Sequence, residues 1–193
     1  MLNKPEDALQ PGDALIIVDV QNDFCPGGAL AIENGGEVVP VLNHWIAAAA
    51  VKHVPIYASR DWHPVGHISF AQQGGQWPPH CIQDSEGARF HPQLQLPDSV
   101  VKITKGVRFD QDQNSVFDQT GLTYQLRLKG IKRLWVGGLA EDVCVLATVL
   151  DARRNDFDVV VIENATKPVS AHSSERARRQ MREAGAQFES AGL

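Results

Sequence analysis

The sequence predicts an α/β fold, a three-layer sandwich in which a six-stranded, mostly parallel sheet lies between helices. Short apolar runs rich in β-branched residues alternate with segments of helical periodicity, which is the pattern of βαβ units. The first run, at residues 14–20, is apolar except for one aspartate near its end, as expected for a strand covered on both faces. With 193 residues, 43% of them apolar, the chain can bury a substantial core. We therefore expect a single domain over residues 1–193.

The first half of the chain holds three of the predicted strands. After the strand at 14–20, apolar residues spaced three and four apart predict a helix over about residues 37–53. Apolar, β-branched runs predict the second strand at 54–59 and the third at 99–104. Between these two strands, residues 60–98 are rich in Pro, Gly, His and Trp and show little periodicity. A loop of this length in a compact domain is usually functional, and its aromatic residues argue against disorder, which is the alternative.

The second half repeats the alternation of helices and strands. A helix near residues 121–129 leads into the fourth strand at 131–138. Residues 142–154 are apolar nearly all round, which predicts a buried helix. The remaining elements are a strand at 158–163, a helix over about 173–184 and a short strand at 186–190.

Composition and charge argue against several classes of protein. A net charge of −5 is not typical of a nucleic-acid binder, which usually carries a basic footprint. No apolar run approaches the ~18 residues of a membrane span, and the polar N-terminal segment has no signal-peptide core. Three widely spaced cysteines are not a disulfide framework and suit a reducing cytosol. We expect a cytoplasmic protein that acts on a small molecule, without nucleic-acid or membrane partners. No apolar stripe decides between a monomer and a homo-oligomer.

Reactive side chains follow the ends of three predicted strands. Asp19 closes the first strand, Lys105 follows the third, and Cys144 comes after the glycines that end the fourth. Because ligands of an open parallel sheet bind beyond the carboxyl ends of its strands, we expect the three residues to share one edge. Cys144 falls in the first turn of a helix, where the macrodipole lowers thiol pKa values and free N–H groups can form an oxyanion hole. The pattern indicates a cysteine nucleophile with Asp19 as its general base and Lys105 as the partner of Asp19.

Each of these residues also has a purely structural interpretation. Cys144 can be a small core residue between two valines, Asp19 can cap a turn or pair with a structural cation, and Lys105 can be a solvated loop lysine. Asp23 competes with Asp19 for the role of base, but its position is more typical of a turn residue.

A second cluster of polar residues lies in the long loop. Asp61 and His63 alternate at the end of the second strand, and His67 and His80 follow within twenty residues. One carboxylate with several imidazoles suits Zn²⁺, Fe²⁺ or Mn²⁺. The alternative is that His63 and His67 are loop residues bonded to the backbone. The remaining histidines and cysteines have no such setting, and we expect them to be structural or solvated: Cys25, Cys81, His44, His53, His91 and His172.

Three aromatic residues, Phe24, Trp62 and Trp77, bracket the same region. They can form a flat slot for a ring, or they can simply pack the long loop.

Five short motifs occur in one order along the chain. They are D-x-Q-N-D-F from Asp19, D-W-H-P from Asp61, W-P-P-H-C from Trp77, T-K-G from Thr104 and G-G-L-A-E-D-V-C-V from Gly137. In these motifs the chain resembles the nicotinamidases, also called pyrazinamidases, of the isochorismatase-like cysteine hydrolase superfamily. The resemblance extends from about residue 13 to residue 188. The resemblance to the superfamily depends on Asp19, Lys105 and Cys144. The narrower resemblance to the nicotinamidases depends on the possible metal ligands of the long loop.

The resemblance implies a role for each matching residue. Asp19, Lys105 and Cys144 would form the catalytic triad. A metal, usually zinc or iron, would be held by Asp61, His63 and His80, with His67 as a further ligand in some members. The amides of Ala140 and Cys144 would form the oxyanion hole, after a cis peptide between Leu139 and Ala140. The substrate would contact Phe24, Trp77, Leu139 and Ala140.

The implied activity is the deamidation of nicotinamide to nicotinic acid and ammonia through a cysteine thioester, in NAD salvage, with pyrazinamide as a further substrate. The metal would orient the pyridine ring. Two departures from the family pattern concern substrate preference: Glu141 stands where many members have threonine, and residues 111–118 match the family's Ser-Phe segment only loosely. We expect both to affect surface or pocket detail.

Three other functions are also compatible with the sequence. One is the hydrolysis of another small amide or of an isochorismate-like ether. The second is a metal-only hydrolase in which metal-bound hydroxide attacks and Cys144 merely packs the core. The third is a non-catalytic binding domain that keeps the fold.

Overall fold

A six-stranded sheet forms the centre of the computed structural model, which describes residues 4–190 and residue 192. All neighbouring strands are parallel, in the order β3-β2-β1-β4-β5-β6. The strands are β1 (Asp13–Val18), β2 (Ile56–Asp61), β3 (Val101–Lys105), β4 (Arg133–Leu139), β5 (Asp158–Lys167) and β6 (Gln187–Glu189). The predicted fold class is confirmed. The expected domain of residues 1–193 includes residues 1–3, 191 and 193, which lie outside the described residues.

Helices cover both faces of the sheet. They are α1 (Pro5–Ala8), α2 (Val38–Val51), α3 (Leu122–Leu128), α4 (Leu146–Arg154) and α5 (Ala171–Glu183). Successive residues of a strand point to opposite faces, so Leu15 and Ile17 of β1 pack with α2, while Ile16 and Val18 pack with α3, α4 and α5. The result is two cores separated by the sheet, which is the predicted three-layer arrangement.

The element that follows β4 differs from the prediction. Glu141–Val145 is a turn of π-helix, here called the cysteine turn, and the α-helix begins only at Leu146. The Val145 N–H donates to the Ala140 carbonyl at 3.1 Å, one residue further back than in an α-helix. The helix that follows is buried on one face only, through Thr148, Val149 and Ala152, and not all round.

The long loop between β2 and β3 has its own internal hydrogen bonding. Two short 3₁₀ turns, Ala71–Gln73 and Glu86–Ala88, interrupt it. Isolated bridges join His63 to Ile82 and Phe70 to Trp77 within the loop, and a third joins Phe90 of the loop to Gln21, just after β1. This ordered path brings the histidines of the loop to the carboxyl ends of the strands. Of the helices in the described part of the chain, none is long and apolar enough to cross a bilayer.

Candidate active site

Three strand ends bring Asp19, Lys105 and Cys144 together. Asp19 follows β1, Lys105 is the last residue of β3, and Cys144 lies in the cysteine turn after β4. The Lys105 Nζ atom is 2.7 Å from Asp19 Oδ2 and 3.6 Å from Cys144 Sγ. All three side chains are buried, and Lys105 and Asp19 are 0% exposed. The convergence expected from the parallel sheet is therefore present in the structure.

Lys105 also binds a second carboxylate that the sequence placed only in the metal cluster. Its Nζ atom lies 2.6 Å from Asp61 Oδ1, and the Gln113 carbonyl lies 3.4 Å away. One buried ammonium thus serves two buried carboxylates. Lys105 is not a solvated loop lysine, because its side chain is 0% exposed. The two carboxylates stabilise it, since a buried charge is stable only when it is paired.

The two carboxylates differ in their electrostatics. Burial raises the pKa of Asp19, and the nearby Asp61 adds to the rise, although Lys105 opposes it. Burial would also raise the pKa of Asp61, but Lys105 and His63 together lower it below its usual value. Asp61 is therefore firmly ionised, and Asp19 is the carboxylate suited to accept a proton.

The expectation of a lowered thiol pKa at Cys144 is wrong. Burial raises the pKa of Cys144 well above its usual value; Lys105 opposes the rise, while Asp19 and Asp61 reinforce it. These effects outweigh any stabilisation from the short turn in which the residue lies. At neutral pH the sulfur is a thiol, and its proton has to be removed before it can attack.

Local contacts hold β1 and β4, which lead to the base and to the thiol, close together. Gly138 of β4 pairs with Val18 of β1 and has a φ of +126°. A Cβ at Gly138 would lie 2.1 Å from the Val18 carbonyl oxygen, so only glycine allows the two strands to approach this closely. Ser59 of β2 donates a hydrogen bond from Oγ to Asp19 Oδ1 at 2.6 Å. The peptide between Leu139 and Ala140 is cis, as the resemblance implied.

Asp61, His63 and His80 form a candidate site for a divalent metal ion. Their potential ligand atoms all lie within 4.8 Å of one another, and all three residues are buried. The Nδ1 atom of His63 is 2.8 Å from the Gly106 carbonyl, and that of His80 is 2.8 Å from the Pro78 carbonyl. Both Nδ1 atoms are therefore donors, and in the neutral rings each Nε2 atom has a lone pair for a metal. The donor set of one carboxylate and two imidazoles fits such an ion.

His67 lies beside this group, but its ring nitrogens are already bonded. The Ser69 N–H lies 3.2 Å from Nδ1, which accepts from it, and Nε2 is 3.0 Å from the Gln111 carbonyl, to which it donates. The ring stacks on His63 at a centroid distance of 4.0 Å. This bonding supports three protein ligands rather than four.

A pocket with an empty volume of about 510 Å³, counting its open mouth, joins the thiol to the candidate metal site. Its lining includes Phe24, Trp77, Ala140 and Cys144, four of the residues expected to meet the substrate or the oxyanion. The Phe24 ring lies 5.6 Å from the His80 ring. The Leu139 side chain is fully buried in the core beside α2, outside this lining.

Trp62 has the alternative role of packing the loop. It packs against the core cluster beside α2, with the Arg60 guanidinium 4.3 Å from its ring, and lies outside the pocket lining.

Several polar residues of the site were missed as individual candidates. Gln21 is fully buried and holds Asp61: its Oε1 accepts the Asp61 N–H, and its Nε2 donates to the Asp61 carbonyl, both at 2.8 Å. Gln113 Oε1 accepts the Gly106 N–H at 2.9 Å, and Asn114 Oδ1 lies 3.8 Å from Cys144 Sγ. Only Gln21 had a signal, because it lies within the first motif; the other two lie in the loosely matching segment.

The residues expected to be structural lie outside the pocket lining. Asp23 is a turn residue whose carboxylate accepts the N–H groups of Cys81 at 2.7 Å and Ala29 at 3.0 Å. All three cysteines are free thiols, and burial raises the pKa of Cys25 to about 11. The four histidines outside the loop cluster also lie outside the pocket: His44, His53, His91 and His172.

Glu141 lies neither on the surface nor in the wall of the pocket. It is 0% exposed and does not line the pocket, so the expectation that it forms part of the surface or of the pocket wall is wrong for this residue. In the segment 111–118, by contrast, Asp112 and Asn114 do line the pocket.

Comparison with known proteins gives a consistent result. The model of the isochorismatase domain matches residues 13–191. A nicotinamidase of Escherichia coli (strain K12) is 38% identical over 188 residues, covering 86% of this chain and 88% of that protein.

Solved structures resemble the whole fold. The pyrazinamidase of Pyrococcus horikoshii in complex with zinc has a TM-score of 0.90 and 40% sequence identity, and the match covers 93% of this chain and 99% of that one. PnC1 from L. infantum in complex with nicotinate has a TM-score of 0.85 and 37% identity, covering 92% of each chain.

Proposed function

The chain belongs to the isochorismatase domain family, and on that premise we propose how its pocket works as a nicotinamidase. The enzyme hydrolyses the carboxamide of nicotinamide and releases nicotinic acid and ammonia. Pyrazinamide is a second substrate in this proposal, because it presents the same carboxamide on a similar ring. The observation that supports the assignment best is the convergence of Asp19 and Lys105 on Cys144, which lines the pocket together with Asp61, His63 and His80.

The reaction begins with a proton transfer within the buried cluster. The Cys144 thiol gives its proton to Asp19, whose raised pKa suits it to accept one. Lys105 stays protonated and stabilises the negative charge as it moves from the carboxylate to the sulfur, since its ammonium contacts both. The sulfur then attacks the carboxamide carbon and forms a C–S bond.

The charge that develops on the carboxamide oxygen needs donors on the pocket wall. We assign this role to the backbone N–H groups of Ala140 and Cys144, both of which belong to residues that line the pocket. One such donor is worth about 2.7–4 kcal/mol in the transition state. Asp19 returns its proton to the departing nitrogen, the C–N bond breaks, and ammonia leaves a thioester behind.

The second half of the reaction uses the same base. Asp19 takes a proton from water, the hydroxide attacks the thioester carbon, and the C–S bond breaks. The proton returns to the sulfur, so nicotinic acid leaves and the thiol is restored.

Ring binding belongs to the other side of the pocket. Asp61, His63 and His80 would hold the divalent ion, which we propose to be zinc, with iron or manganese as alternatives. Such an ion supplies a Lewis acid for the pyridine nitrogen. Phe24 and Trp77 flank the ring in this proposal, since both line the pocket beside His80.

The remaining proposals concern the setting of the enzyme. We propose a cytoplasmic protein whose partner is its small substrate, without nucleic-acid or membrane partners. The net charge of −5 supports the absence of a nucleic-acid partner. Its single domain would extend over residues 1–193, and both a monomer and a homo-oligomer fit the sequence.

An ammonia-release assay on nicotinamide tests the function. The wild type with added divalent metal releases ammonia, Cys144→Ala does not, and the matched variant Cys25→Ala behaves as the wild type. Because the thiol is needed for chemistry and not for ring binding, Cys144→Ala still binds nicotinamide in calorimetry. Ammonia release by Cys144→Ala at the wild-type rate would favour a metal-only hydrolase instead.

A further inference from the structure

The cysteine turn begins with two acidic residues, and α5 binds both of them. Glu141 is 0% exposed. Its Oε2 accepts from Arg178 Nη2 at 2.9 Å, and its Oε1 accepts from Arg178 Nε at 3.1 Å and from the Ser174 hydroxyl. The guanidinium and the carboxylate thus meet in the bidentate geometry that fixes direction as well as distance.

The next residue, Asp142, is bound both by α5 and by the segment that leads into it. Its Oδ1 accepts the Val169 N–H at 2.9 Å, and its Oδ2 accepts from the Ser173 hydroxyl. Val169 itself lines the pocket. All four carboxylate oxygens at the start of the cysteine turn are therefore bonded by α5 or by Val169, which shortly precedes it.

Arg178 has a second, more exposed partner. Its Nη1 lies 2.6 Å from Glu163 Oε1, and the Glu163 side chain is 40% exposed, whereas that of Arg178 is 25% exposed. The two carboxylates are therefore unequal. Glu163 can be solvated without Arg178, but Glu141 would be left as an unpaired buried charge, which is unstable unless the surrounding backbone moves.

The backbone that would move carries the reacting groups. Glu141 directly follows Ala140, whose N–H is the assigned oxyanion donor, and precedes Cys144 by three residues. Reactivity falls steeply when such groups shift by about 1 Å. We propose that Glu141 and Arg178 are positioning residues for the reaction proposed above. Their ion pair holds the cysteine turn against α5, so that the Ala140 N–H and the Cys144 sulfur face one point of the pocket.

Kinetics of variants that remove this pair test the proposal, which rests on the proposed function. We expect Arg178→Met and Glu141→Gln to lower kcat by about 10- to 100-fold with little change in KM, because the ring-binding side of the pocket is untouched. Arg178→Lys keeps the charge but loses the bidentate geometry, so its kcat is intermediate. The matched control is Glu163→Gln, which removes the exposed partner of Arg178 and leaves kcat within about twofold of the wild type.

A double variant separates positioning from stability. Glu141→Leu combined with Arg178→Leu removes both charges, so its thermal midpoint recovers relative to the single variants. We expect its kcat to stay low, because no directed contact replaces the pair. Recovery of full kcat together with stability would overturn the proposal, as would wild-type kcat in folded Arg178→Lys and Arg178→Met.

Alkylation of Cys144 by iodoacetamide gives a readout that needs no substrate. If the pair positions the turn, the alkylation rate of Cys144 differs from the wild type in the Arg178 variants and not in Glu163→Gln; an unchanged rate in all of them would overturn the proposal. A wild type that releases no ammonia from nicotinamide would instead refute the proposed function, while the alkylation rates would still decide the role of the pair.

Discussion

Replacing Lys105 by methionine removes the ammonium that pairs with the two carboxylates of a buried cluster. The side chain is 0% exposed, and its Nζ atom lies 2.7 Å from Asp19 Oδ2 and 2.6 Å from Asp61 Oδ1. Methionine keeps most of the length of the stem but leaves the two carboxylates facing each other without a cation. Removing one partner from a buried ion pair costs about 3–5 kcal/mol. For a chain of this size, that corresponds to a fall of about 6–20 °C in the thermal midpoint.

In the proposed mechanism, the same change removes the group that stabilises the developing sulfur anion. Loss of one member of a catalytic triad lowers kcat by at least about 1,000-fold. Thermal unfolding followed by circular dichroism measures the first effect, and ammonia release measures the second. Lys102→Met is the matched control, because Lys102 lies on the same strand with an exposed side chain, and its stability should stay within about 0.5 kcal/mol of the wild type. A Lys105→Met variant that melts with the wild type and turns over nicotinamide would show that neither stability nor catalysis needs this ammonium.

Three further predictions use other parts of the molecule. Gly138→Ala should destabilise the protein by about 1–3 kcal/mol or more in thermal unfolding, because its Cβ would lie 2.1 Å from the Val18 carbonyl oxygen. Gly36→Ala is the control, since the Cβ added there has no neighbouring atom closer than 3.8 Å. Chelation should weaken nicotinamide binding in calorimetry more than it lowers the thermal midpoint, and added zinc should restore binding; unchanged affinity would contradict the ring-orienting role. Since burial raises the pKa of Cys25 to about 11, its alkylation, followed by peptide mass spectrometry, should speed up about tenfold per pH unit between pH 8 and 10. A rate for Cys25 that is flat over this range would contradict that burial effect.

Much of the fold was predictable because buried parallel strands have a simple signature. Residues 14–18 and 159–162 are continuous apolar runs, and both form central parts of strands. Strand ends were less predictable: β5 continues to Lys167, where its residues pair with β4 past an irregularity in register, and no apolar run indicates this. The π-helical cysteine turn was also missed, since its residues fit an ordinary helix and only tertiary contacts select the wider turn.

The grouping of site residues was predictable for a topological reason. Parallel strands end at one edge, so Asp19, Lys105 and Cys144 could be expected to meet before any side chain was placed. The partners that hold them could not be predicted in the same way. Ser59 and Gln113 are common polar residues in ordinary positions, and only the folded chain shows that each is buried and bonded to the cluster.

The charge state of the Cys144 thiol could not be predicted from the sequence for a different reason. A pKa depends on depth of burial and on the sum of nearby charges, which here include two carboxylates and one ammonium. The position of Cys144 at the start of a predicted helix reflects only one of these influences, the helix dipole. Glu141 was misplaced for the same kind of reason, because its partner Arg178 lies 37 residues away in the chain.

In the proposed mechanism the Cys144 sulfur becomes acylated during each turnover. Rapid acid quenching of the enzyme during reaction with nicotinamide, followed by peptide mass spectrometry, tests this directly. A nicotinoyl group on the peptide that contains Cys144, absent in Cys144→Ala and absent from the Cys25 and Cys81 peptides, is the predicted result. Steady ammonia release by an enzyme whose Cys144 is never modified at any quench time, and by Cys144→Ala as well, would contradict it.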